Sequence, residues 1–218
     1  GYRINDNAGA ALFPSIPPAN PAPPDLRGFR ALPPNLVIAW ENFFGAAPAP
    51  AGQAGKKIDP LLSTVMLQLP DGVVPAGTSA ELRSLAVRNL QRGIALKLPS
   101  GQCLAARMEI ANPLTDAEVW QDVPGGQGPA PLWYYVLKEA QIRAGGQRLA
   151  GLGAEIVGRV FQGLLDADAS SYRSQAPGWT PTLPSAHAGR FAMTDLIAIA
   201  LPGTQIAAED LSSLPGDD

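Results

Sequence analysis

The chain has 218 residues, of which 46% are hydrophobic and only 16% charged, with a formal net charge of −3. That is enough apolar material for a core without metal or disulfide staples, and too little positive charge for a nucleic-acid binder that works through a general basic surface. A single cysteine, Cys103, excludes an intrachain disulfide, and a single histidine, His187, excludes a metal cage built from this chain's own histidines.

Glycine and proline, 23 of each, together reach roughly twice their usual share, which predicts short helices joined by irregular connections. Residues 1–35 read as an extended strap. Asn5-Asp6-Asn7 and the prolines at 14, 17, 18, 21, 23, 24, 33 and 34 remove donors and fix φ, which forbids continuous helix. A stretch this long without regular structure is expected to lie over another body of protein. Residues 36–201 read as a helical body. Val37, Trp40 and Phe44 have helical spacing, followed by an Ala/Pro/Gly linker at 45–55. Asp59-Pro60 has the form of an N-cap with proline at the first helical position, ahead of an apolar stripe of Leu61, Leu62, Val65, Met66 and Leu69. Thr78 and Glu81 have capping-box spacing and are expected to open a helix over 81–97.

Thr115 and Glu118 repeat that spacing ahead of a short helix. Trp133 to Gln141 read as helix. Leu149, Leu152, Ile156, Val157, Val160, Phe161 and Leu164 give the clearest 3.6-residue period, and Phe191 to Leu201 forms a last apolar helix before a frayed tail at 202–218. β-Branched alternation is nearly absent, and no apolar run reaches the roughly 20 residues of a membrane span. The fold class is mainly α.

Most chemical motifs fail on inspection. Gly151-x-Gly153 precedes a helix, but Ile156 stands where a dinucleotide fingerprint needs its third glycine. Ser100 is not in a nucleophile elbow, and His187 lies in a Pro/Gly/Ser loop. Cys103 has no histidine nearby in sequence and reads as a buried structural cysteine. Asn89 is the informative position. On the 81–97 helix it shares a face with Leu82, Leu85, Ala86 and Gly93, and an amide on an apolar face needs a partner. That partner is either a nearby backbone carbonyl or a ligand group. Arg92, near the same side one turn on, is either a surface ion-pair member or the partner of an anion.

Asn89-Leu90-Gln91-Arg92 followed by Leu98-Pro99-Ser100-Gly101 resembles the C-terminal half of the animal-type haem peroxidase superfamily, particularly its bacterial members. Four other stretches agree in order. Trp40-x-x-Phe43-Phe44 leads into Ile58-Asp59-Pro60-Leu61-Leu62, and Pro131-Leu132-Trp133-Tyr134-Tyr135-Val136-Leu137-Lys138-Glu139-Ala140 is close to a family segment. Gly153-x-x-Ile156-Val157-x-x-Val160-x-x-Gly163-Leu164-Leu165 continues in register. Tyr172 and Trp179-x-Pro181-x-Leu183-Pro184 then precede Phe191-x-Met193-x-Asp195-Leu196. The resemblance spans essentially the whole chain.

The resemblance implies a multi-helix haem peroxidase fold, with residues 1–218 as the C-terminal part of one catalytic domain. The cofactor would be haem. The asparagine matching Asn89 accepts a hydrogen bond from the proximal histidine that ligates the iron, and the arginine matching Arg92 pairs with a haem propionate. Leu85 and Arg88 would also approach the proximal side. Gly1-Tyr2-Arg3-Ile4-Asn5 resembles the family stretch just after the proximal histidine, which is therefore expected a few residues before Gly1. The distal histidine and arginine, and the family's calcium site, would lie further upstream. The resemblance thus places no catalytic residue and no metal ligand in this chain. It implies an N-terminal peroxidase portion as partner, with hydrogen peroxide and an organic donor or halide as substrates. Two rival readings stand beside it: a fatty-acid dioxygenase of the same fold, and a non-catalytic helical interaction module without haem.

Overall fold

The computed structural model describes residues 5, 36–44, 46–47, 53–70, 73–185, 190–200 and 205–206. Its elements, in chain order, are α1 (Glu41–Phe44), β1 (Ala46–Ala47), α2 (Thr64–Leu67), a 3₁₀ turn (Glu81–Arg83), α3 (Leu85–Ala95), α4 (Gly101–Arg107), α5 (Asp116–Trp120), α6 (Leu132–Ala144), α7 (Gly151–Ala167), α8 (Tyr172–Gln175), α9 (Met193–Ala200) and β2 (Gln205–Ile206). The described fold is mainly α. The chain divides into two compact units, one of residues 1–14, 18–55 and 178–218, the other of residues 15–17 and 56–177. Among the described helices none is long and apolar enough to cross a membrane. The expected strap, apart from Asn5, and the tail beyond Ile206 lie outside the described residues.

In the first unit, β1 and β2 pair antiparallel, with Ala46 opposite Ile206 and Ala47 opposite Gln205. The Trp40 ring lies 6.5 Å from Phe43 and 6.3 Å from Phe44. The Asn5 amide donates to the Val37 carbonyl at 3.0 Å. Asp195 in the first turn of α9 accepts from the Ala192 N–H at 2.7 Å, which satisfies a donor that the helix start would otherwise orphan.

The second unit is built around α6. Ala105, Leu114, Val119, Ala130, Tyr135 and Leu152 form its buried core. Tyr135 decides how α4 meets α6: a Cβ on residue 101 would collide with the Tyr135 Cβ and Cγ, so any side chain there must push the two helices apart. The buried phenol oxygen accepts from the Leu114 N–H at 2.9 Å. α5 is opened by the expected capping box, with Thr115 accepting from the Glu118 N–H and Glu118 from the Thr115 N–H. Glu118 is gripped again by Arg143 of α6, at 2.6 and 2.9 Å, while the same guanidinium donates to the Asn112 and Pro113 carbonyls. Gly145 ends α6 in the left-handed region (φ 57°), and the Gly146 N–H returns to the Ala140 carbonyl.

Two helix starts differ from expectation. The Thr78 hydroxyl donates to the Pro75 carbonyl at 2.6 Å and caps nothing; the chain makes a 3₁₀ turn, and α3 begins only at Leu85 with Ser84 as N-cap. Asp59 closes a turn by accepting from the Leu61 N–H and from Lys56, and α2 is confined to Thr64–Leu67. The apolar stripe beginning at Leu61 is therefore only in part helical. α4 and α8 answer to no sequence expectation.

Two outcomes follow. Gly101→Ala should destabilise the fold by about 1–3 kcal/mol by overpacking, read as a lower urea midpoint at constant slope. Glu118 is held at about 2 by the Arg143 hydrogen bonds first and by the Thr115 N–H and hydroxyl next. Its folded-state pKa is depressed, so its contribution is complete above its ordinary value and is lost as pH falls through about 2. Glu118→Gln should flatten acid unfolding in that window, measured by circular dichroism across the pH range.

Candidate functional site

The C-terminal half of α3, the turn after it, and the segment leading into α6 enclose a cleft of about 390 Å³, within the range of small-molecule and cofactor sites. One wall is α3 with its exit turn, where Asn89, Arg92, Gly93, Leu96 and Leu98 line the cleft. The facing wall is Pro129, Ala130, Pro131, Leu132 and Trp133. Two local constraints hold the walls. Ser100 and Pro131 form an antiparallel bridge, and the Gly101 N–H donates to the Ala130 carbonyl at 3.0 Å. Ser100 also caps α4, accepting from the Cys103 N–H at 3.2 Å.

The sequence-derived site residues separate into two groups. Asn89 and Arg92 line the cleft. Asn89 is half-buried and Arg92 exposed, and within the described residues no hydrogen bond or ion pair engages either side chain. Leu85, half-buried, and Arg88, exposed, lie on the same helix outside the cleft lining. Arg88 and Arg92 stand one turn apart with like charge, a mildly repulsive arrangement that a shared anion would relieve. Of the lining residues only Arg92 carries a charge.

The chemistry open to this cleft is binding. An apolar lining with an indole, one amide and one guanidinium suits a hydrophobic molecule carrying a carboxylate. The lining holds no acid–base pair and no nucleophile with a base beside it. Among the described residues no cluster of three His, Cys, Asp or Glu side chains is placed to hold a metal. His187 lies outside the described residues.

Two features escaped the sequence reading. The wall from Pro129 to Trp133 is distant in sequence from α3; Trp133 at a helix start was the available signal. Cys103 is exposed rather than buried, because the capped first turn of α4 turns it outward while Gly101 and Ala105 face the core. One thiol equivalent should therefore titrate with an aromatic disulfide reagent in the native protein, at a rate that denaturant raises only modestly. The chain matches no protein-family model, no curated protein and no solved structure.

Proposed function

We propose that this chain forms the proximal wall of a haem peroxidase and works together with a protein segment that supplies the iron-ligating imidazole. The observation that carries the reading is the cleft itself: Asn89 and Arg92, with their side chains unengaged by the described residues, open on one apolar surface beside Trp133. The fit to haem is chemical. The porphyrin body suits the apolar lining, and its propionates suit the guanidinium. When bound, haem supplies the redox chemistry by which hydrogen peroxide is reduced and an organic donor or halide is oxidised.

In this reading the Asn89 amide oxygen accepts the N–H of the ligating imidazole. That bond orients the ring and makes it a stronger donor to iron. Arg92 holds a carboxylate at the cleft edge, and Leu98, Leu132 and Trp133 exclude water from the buried face. An exposed apolar stripe on α7, Val157, Val160, Phe161 and Leu164, supports the need for further protein around this chain.

The test combines the chain with an N-terminal peroxidase portion that bears both the proximal histidine and the distal histidine and arginine of the family, and adds haem. A Soret band with peroxide-dependent donor oxidation is expected, and its absence from the combined sample overturns the proposal. Asn89→Ala should weaken haem retention by about 10–100-fold and raise the iron reduction potential, since a less basic imidazole favours the ferric state less. An unchanged potential removes Asn89 from the site. Oxygen uptake with linoleate in the absence of peroxide would assign the dioxygenase chemistry instead.

A further inference from the structure

α7 has no side-chain cap of its own. Its N-cap is Ala150, and its first turn carries no acidic residue. The group at that helix start comes from α6. Glu139 is fully buried, and its Oε2 accepts from the Gly153 N–H at 3.1 Å, with the Leu152 N–H also acting on the carboxyl. Gly151, at φ 41°, leaves the space that Oε1 occupies; a Cβ there would collide with it. Oε1 itself has no hydrogen-bond partner.

This geometry is a poor one for a carboxylate. An ionised carboxyl offers about four lone-pair sites, and here one oxygen is served and the other is not, away from water. The cation acting on it is Arg143, one turn on along α6, but its guanidinium is already held by both oxygens of Glu118 of α5. Lys138 is turned to Asp122 and Gln141. Tyr135, one turn back, is neutral and bonded to Leu114. From α7 only backbone N–H groups face the carboxyl, and no charged side chain of α3 or α4 acts on it. A neutral carboxyl leaves less unsatisfied at Oε1 than an ion does.

We infer that the α6–α7 junction is a proton-gated latch: the first turn of α7 is docked while Glu139 is neutral and loosens when Glu139 ionises. Burial pushes the Glu139 carboxyl above the usual carboxylate range, against the pull of the Gly153 and Leu152 N–H groups and of Arg143. With a raised folded-state pKa, the junction's stability is complete below the ordinary glutamate value and is lost as pH rises through the raised one. One proton changes the opening equilibrium by at most tenfold per pH unit. The latch is independent of whether the cleft takes haem.

Native-state hydrogen exchange of the full chain tests it, with each rate divided by the intrinsic rate at that pH. Protection at Gly153 and Ala154 should fall by up to tenfold per pH unit between the ordinary glutamate value and the raised Glu139 midpoint and level off above it, while the α6 amides keep theirs. Glu139→Gln should abolish the pH dependence at those amides. Protection that is flat or rises with pH in the unsubstituted chain overturns the latch. Should the Gln variant fail to fold, carboxyl ¹³C titration of the unsubstituted chain decides: Glu139 should titrate above the exposed glutamates, and a midpoint at or below theirs overturns the inference.

Discussion

The contact between Tyr135 and the backbone of Gly101 is the constraint from which the cleft follows. The phenol ring fills the space that a side chain at 101 would need, and its oxygen satisfies the Leu114 N–H. With the ring in place, the start of α4 lies directly against α6. The Gly101 N–H then reaches the Ala130 carbonyl, and Ser100 pairs with Pro131. Those bonds set the wall from Pro129 to Trp133 opposite the end of α3. Buried polar groups left without a partner are destabilising by about 1–3 kcal/mol each, so the phenol is held both by packing and by the donor it satisfies.

α6 carries two buried charge-bearing groups, Lys138 and Glu139, and a half-buried one, Arg143, and each is resolved differently. The Lys138 ammonium reaches Asp122 and the Gln141 side chain. Arg143 forks onto Glu118 and two carbonyls, tying α5 and the turn before it to α6. Glu139 stands at the start of α7. α3 is the contrast: Arg88 and Arg92 are exposed there, and within the described residues nothing pairs with them. The cleft therefore has one wall fixed by polar bonds and one wall whose single charged lining residue, Arg92, no described residue engages.

What could be read from the chain in advance follows the range of each interaction. The Thr115/Glu118 box is local, and it forms as its spacing requires. The Thr78/Glu81 pair has the same spacing and does not form one, because a carbonyl of the preceding turn at Pro75 takes the hydroxyl. Asn89 and Arg92 were legible as members of one helix face, since a period of 3.6 residues is intrinsic to α3. The opposite wall was not, because its position depends on Tyr135 meeting a glycine 34 residues earlier. Glu139 was invisible for the same reason: a capping residue donated by another helix leaves no spacing signature around the helix it caps. Cys103 was misread because the outward direction of one residue in a seven-residue helix is decided by which neighbours the core takes, here Gly101 and Ala105.

The clearest apolar period in the chain, on α7, turns out to contain two faces. Leu152 is buried and Ile156 packs against the core, whereas Val157, Val160, Phe161 and Leu164 are exposed, Phe161 and Leu164 each at 63%. Periodicity detects such a stripe but does not say which body of protein meets it. The two faces lie at different heights along the helix. At a rise of 1.5 Å per residue, Leu164 stands about 16 Å beyond Gly153. The first turn is pressed against α6, where Gly153 lies so close to Val136 that a Cβ would approach it to 3.2 Å. The stripe therefore lies beyond the part of the helix that packs on the core, and the orientation of that apolar face depends on the packing of Leu152 and Ile156 together with the close contacts around Glu139, Gly151 and Gly153.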